Sequence, residues 1–133
     1  VTDHRVINPL AKYQKPKVLI VDDSLTIRRY ISLKLHDYNV DIFEAPSAEE
    51  AFVLLDAIKF SLIFMDVMLP EMDGYEACRI IKKERMLDVP VIMTTSRDSP
   101  FDKMRGQIVV SSNYLVKPID DNSFHQMMQQ YFK

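Results

Sequence analysis

The chain has 133 residues, of which 47% are hydrophobic and 27% charged, with a formal net charge of −2. That composition describes an ordinary globular domain that buries a core without disulfide or metal staples, and it shows no general nucleic-acid or membrane footprint. The single cysteine, Cys78, cannot pair internally and fits a reducing compartment, and no apolar run approaches the ~20 residues of a membrane span, so a cytoplasmic location is expected.

Residues 1–16 show neither the helical nor the strand period and carry Pro9 and Pro16. They are expected to form an N-terminal tail or a linker from an upstream domain, with the folded domain spanning 17–133. KVLIV (17–21) is a continuous apolar run, the pattern of a strand covered on both faces. From Ser24 to His36, Ile27, Ile31 and Leu35 recur at helical spacing. Asp41–Ala45 is a weaker strand candidate. Ser47 and Glu50 have the spacing of a capping box and open a helix that runs to Ile58. SLIFM (61–65) is a second strongly apolar strand ending at Asp66, followed by VMLPEMDG, a loop marked by Pro70 and Gly74. Tyr75–Arg85 has helical spacing, and PVIMT (90–94) is a strand ending at Thr95. Ser99 and Pro100 read as an N-cap and first-turn proline opening a helix through Ile108. NYLVKP (113–118) is the fifth strand, and 123–132 the last helix, with Phe124, Met128 and Tyr131 inward.

Five strand–helix units in succession predict an α/β fold, a doubly wound parallel sheet with helices on both faces. In such sheets function gathers at the carboxyl ends of the strands. The first strand ends in Asp22 and Asp23, the third in Asp66, the fourth in Thr95 and the fifth in Lys117. Three carboxylates on one edge repel unless a cation joins them, and an all-oxygen set favours a hard ion such as Mg²⁺. A lysine and a hydroxyl beside that ion suit a phosphoryl group, and an aspartate can serve as its nucleophilic acceptor. The constellation therefore proposes phosphoryl transfer onto a carboxylate. Taken singly, each residue has an ordinary reading: Asp22 and Asp23 as helix N-terminal acids, Asp66 as a loop acid, Thr95 and Tyr114 as packing residues of strands, and Lys117 as a solvated charge. Their joint placement carries the chemistry. His4, His36 and His125 show no metal spacing and read as surface residues, while Arg28 and Arg29 read as a solvated face near the same edge.

VDDS (21–24), MDVMLPEMDG (65–74), TTS (94–96) and YLVKP (114–118), in that order and spacing, resemble the response-regulator receiver family, the CheY-like domains. The resemblance covers about residues 17–132. It implies a flavodoxin-like five-stranded sheet of order 2-1-3-4-5, and a domain of a two-component phosphorelay. By position, Asp66 resembles the phospho-accepting aspartate, and Asp22 and Asp23 the acidic pair that binds Mg²⁺. Met68 falls where the family offers a backbone carbonyl to the metal. Thr95 resembles the switch hydroxyl, Lys117 the lysine that pairs with a phosphoryl oxygen, and Tyr114 the aromatic switch. The Lys117–Pro118 bond is expected to be cis by the resemblance, although X–Pro statistics alone favour trans.

The implied partners are a histidine kinase or phosphotransfer protein as donor, and a downstream target or fused domain as recipient. The recipient would dock on a switching face of the fourth helix, fifth strand and fifth helix. A weak or phosphorylation-dependent homodimer is expected, and no direct contact with nucleic acid or membrane. The domain is expected to be a regulator that assists its own phosphorylation and dephosphorylation rather than a metabolic enzyme. Val110 and Ser111 depart from the small pair common before the fifth strand, and Ile119 stands where phenylalanine is commoner. Residues 96–106 look closer to receivers of twitching-motility and related cyanobacterial regulators than to those of two-domain transcription factors. Two other readings compete. A docking module without phosphorylation control is disfavoured by the complete acidic set. A phosphatase with an aspartate nucleophile is disfavoured by Met68, where such enzymes place a second aspartate. With only Gly74 and Gly106 in the chain, a dinucleotide-binding glycine turn is excluded.

Overall fold

The computed structural model describes residues 14–96 and 113–132. Five parallel strands, β1 (Lys17–Val21), β2 (Asp41–Ala45), β3 (Leu62–Asp66), β4 (Val91–Thr95) and β5 (Asn113–Val116), form one sheet in the order β2-β1-β3-β4-β5. This is the expected topology. Parallel register pairs Val21 with both Ala45 and Met65, and Thr95 with Val116, so the carboxyl ends lie along one edge.

Helix α1 (Leu25–Leu35) and the C-terminal helix (Asp121–Tyr131) cover one face, and α2 (Ala48–Ala57) and α3 (Gly74–Arg79) the other. On the first face Ile31 and Leu35 of α1 meet Phe124, Met127 and Met128 over Val18, Ile20, Phe64 and Ile92. On the second, Ala48, Ala51, Tyr75, Ala77 and Cys78 pack over Leu19, Ile63, Met65 and Met93. Alternate residues of each strand thus feed two separate cores, which is why β1, β3 and β4 are apolar up to their carboxyl ends. Complete burial of one Val, Leu or Ile side chain is worth about 1.5–3 kcal/mol. Val18 to Val21 are all at most 1% exposed, and that burial anchors the strand from which Asp22 and Asp23 project.

Local signals set most boundaries. The Ser24 hydroxyl accepts the Ile27 amide at 3.3 Å and caps α1, and the Ser47 hydroxyl accepts the Glu50 amide at 3.2 Å and caps α2. Three expectations shift. The helical segment after Gly74 is α-helical only to Arg79 and continues as a π-helical turn over Ile80–Glu84. There the Arg85 amide bonds the Ile80 carbonyl, five residues back, at 2.8 Å. The wider turn leaves Ile81 fully buried while Lys82 bonds the Val89 carbonyl. Strand β5 stops at Val116, because the Lys117 amide makes one last bond to Thr95 O (2.6 Å) and Pro118 has no amide to offer. The C-terminal helix begins at Asp121, earlier than its apolar spacing predicts, since Asp120 accepts the Ser123 amide at 2.7 Å. The Lys117–Pro118 bond is cis, as the resemblance implied. The expected helix through Ile108, together with Val110 and Ser111, lies outside the described residues.

Candidate functional site

Asp22, Asp23 and Asp66 come together at the carboxyl edge, with one oxygen of each within 4.8 Å of the others. β1 and β3 are hydrogen-bonded neighbours, so the strand ends deliver the three acids to one place. Asp22 and Asp66 are buried and Asp23 is exposed. The Lys117 ammonium lies between the two buried acids, 2.8 Å from Asp22 Oδ2 and 3.1 Å from Asp66 Oδ1. Asp22 Oδ1 also accepts the Ser24 amide at 2.9 Å, which ties the acid to the start of α1.

Asp66 and Lys117 titrate in the same direction for different reasons. Burial pushes the Asp66 carboxyl up from 3.8 to about 6, and the Asp22 charge adds to the rise. Lys117 opposes it, both through its charge and through the hydrogen bond, as does the Met68 amide, and together they fall short. For Lys117, burial alone would lower the value. The bond to Asp22 and the charges of Asp66 and Asp22 outweigh that burial and hold it above the ordinary 10.5. One ammonium therefore does not balance the carboxylates. A site with three acidic oxygens at this spacing and an under-compensated buried carboxylate fits a small divalent cation bound through oxygen.

The remaining expected residues lie after β3, at the end of β4 and on β5. The Met68 amide donates to Asp66 Oδ1 at 3.3 Å, so the backbone after β3 folds back over the acid while the Met68 side chain is 72% exposed. Thr95 is buried at the end of β4, beside Val116 of β5. Tyr114 is half-buried on β5, packs against the second core and donates its hydroxyl to that of Tyr75 at 3.1 Å.

Gly74 is what lets α3 start so close to the acid. A Cβ there would lie 2.0 Å from the Asp66 carbonyl oxygen, and the Gly74 amide bonds Val67 O at 2.9 Å. Two contributors were not legible as site residues. Arg28, expected on a solvated face, is mostly buried: its guanidinium donates to the Asp22 carbonyl at 2.7 Å and to Glu44 at 2.9 Å. Tyr75, read only as the start of a helix, is fully buried beneath Tyr114. Arg28 spans 16 residues to Glu44 and Tyr75 spans 39 to Tyr114, so neither contact has a local signal.

Residues 18–129 match the family described as the response regulator receiver domain. Protein PilG of Pseudomonas aeruginosa is 40% identical over 103 residues, 77% of this chain and 76% of PilG. The probable transcriptional regulator ycf27 of Porphyra purpurea is 37% identical over 105 residues, which is 79% of this chain but 42% of that protein. These relatives fit the regulator types that residues 96–106 suggest. Among solved structures, chemotaxis protein CheY4 of Vibrio cholerae superposes with a TM-score of 0.81 at 30% identity, covering 89% of this chain and 99% of that one. Among the described residues no helix is long and apolar enough to cross a membrane.

Proposed function

The chain belongs to the response regulator receiver domain family of two-component systems, and on that premise we propose that Asp66 is its phosphoryl acceptor. The observation that carries the reading is the bridging ammonium of Lys117, set between Asp22 and Asp66 at the converged strand ends. The family is regulatory and works with kinases and downstream effectors. Residues 17–133 are read as the receiver domain and 1–16 as a tail or linker, in a cytoplasmic protein.

In the proposed reaction a carboxylate oxygen of Asp66 attacks the phosphorus, and the bond from phosphorus to the donor's nitrogen or oxygen breaks. The donor is the phosphohistidine of a kinase or phosphotransfer protein, or a small acyl phosphate. Asp22, Asp23, Asp66 and the Met68 carbonyl would hold Mg²⁺, which supplies positive charge to the carboxylates and the phosphoryl oxygens. Lys117 stabilises charge that develops on the phosphoryl group, and the buried setting strengthens that interaction. The product is an acyl phosphate, whose added negative charge at the Asp66 side chain Lys117 and the cation would offset.

The Thr95 hydroxyl then hydrogen-bonds a phosphoryl oxygen, and Tyr114 follows it. That pair would bias the face of β5, the C-terminal helix and the helix expected through Ile108 between two states. A protein target, a fused domain or a second copy reads the face. The domain assists its own phosphorylation and hydrolysis and otherwise acts as a regulator.

Intact-mass measurement after treatment with acetyl phosphate and Mg²⁺ tests the reading. One phosphoryl mass is expected, and it should be absent when Mg²⁺ is chelated. A folded protein that gains none under either condition would overturn the proposal.

A further inference from the structure

We propose that Tyr75 is a positioning residue for Tyr114, a latch that holds the Tyr114 ring against the core through the bond between the two phenol hydroxyls. The inference deepens the function proposed above and rests on its reading of Tyr114 as a switch residue.

Tyr75 occupies the first turn of α3, directly after Gly74, and is 1% exposed. Its ring belongs to the apolar cluster of Met65, Ala77, Cys78 and Met93, and Tyr114 packs against that cluster from β5. The Tyr114 hydroxyl donates to the Tyr75 hydroxyl over 3.1 Å. A hydrogen bond between two neutral hydroxyls adds a modest favourable weight to the arrangement that keeps it, and here one of the two is buried. The Tyr75 oxygen therefore favours the position of Tyr114 that keeps the bond. A leucine or phenylalanine at position 75 could fill similar space without this effect.

The placement also links the latch to the acid site. Gly74 touches the Asp66 backbone, with its amide on Val67 O at 2.9 Å, and Tyr75 is the next residue. A shift of the loop after β3 is thus delivered to Tyr114 by a second route, separate from Thr95 at the end of β4. Tyr75 sets the resting position of Tyr114, and the phosphoryl group acts on top of that bias.

Fluorine NMR of protein labelled with 3-fluorotyrosine tests the latch, with the Tyr114 resonance assigned through Tyr114→Phe. In the absence of phosphodonor, Tyr75→Phe should move the Tyr114 resonance toward its solvent-exposed position. The expected change in the inward-to-outward ratio is roughly two- to tenfold, the weight of one neutral hydrogen bond. The chain has six tyrosines; a general loosening would move several resonances, whereas loss of the latch moves Tyr114 alone. An unchanged Tyr114 resonance in folded Tyr75→Phe overturns the proposal. Should that variant not fold, the Tyr75 resonance is compared between wild type and Tyr114→Phe, and no shift there overturns it equally. Acetyl phosphate with Mg²⁺, added to Tyr75→Phe, should return Tyr114 inward. A failure of that arm alone counts against Tyr114 as a switch residue, while the donor-free comparison still decides the latch.

Discussion

Lys117 holds its ammonium 3.1 Å from Asp66 although β4 separates their two strands in the sheet. It reaches across because its own amide is fixed to Thr95 O at the end of β4, at 2.6 Å, and its side chain is then drawn to Asp22 as well. Lys117→Met removes the charge that offsets both buried acids. The variant should accept the phosphoryl group from acetyl phosphate more slowly, by roughly 100-fold, the scale on which loss of one transition-state donor acts. Time-resolved intact-mass measurement reads the rate, and an unchanged rate would remove Lys117 from the mechanism.

The raised value of Asp66 makes stability depend on pH. Its folded value of about 6 exceeds the 3.8 of an unperturbed carboxyl, so the folded protein binds the proton more tightly than the unfolded chain does. The contribution is fully present below about pH 4 and is lost as pH rises through about 6. In chelator, urea denaturation should show stability falling across this window, by on the order of 1–3 kcal/mol. Asp66→Asn should remove the slope, being more stable than wild type at pH 7.5 and nearly equal at pH 4. Mg²⁺ should oppose the fall in wild type, because a cation favours the ionised carboxylate. A stability that rises over the window would contradict the burial argument.

Gly74 admits no side chain, since a Cβ would stand 2.0 Å from the Asp66 carbonyl oxygen, a backbone atom that cannot swing aside. Gly74→Ala should cost about 3 kcal/mol, at the upper end of overpacking penalties. It should also displace the loop after β3 and slow phosphoryl acceptance. Denaturation and the acetyl phosphate reaction measure the two effects, and wild-type values in both would show that α3 moves away freely.

Much of this arrangement is readable in the order of residues along the chain. The runs VLIV, LIFM and VIMT announce buried strands because both faces of β1, β3 and β4 are covered. Once those strands are parallel, Asp22, Asp23, Asp66, Thr95 and Lys117 must share an edge. Less legible features depend on partners distant in sequence. Ala77, Ile80 and Ile81 have the same spacing in an α-helix as in the π-helical turn that they enter, so apolar periodicity cannot tell the two apart. Arg28 carries the signature of a solvated charge, and its burial against Asp22 and Glu44 emerges only when α1 and β2 are both in place. The hydroxyl of Tyr75 matters only because Tyr114 lies opposite it.

The central claim is that the phosphoryl group resides on Asp66 itself. Borohydride reduces an acyl phosphate to the alcohol, so protein treated with acetyl phosphate and Mg²⁺ and then reduced should carry homoserine in place of aspartate. Peptide mapping should find that conversion at position 66, with Asp22 and Asp23 intact and nothing converted when Mg²⁺ is chelated. Homoserine at position 22 or 23, or a stable phosphoryl group on a hydroxyl residue with Asp66 unmodified, would contradict the account.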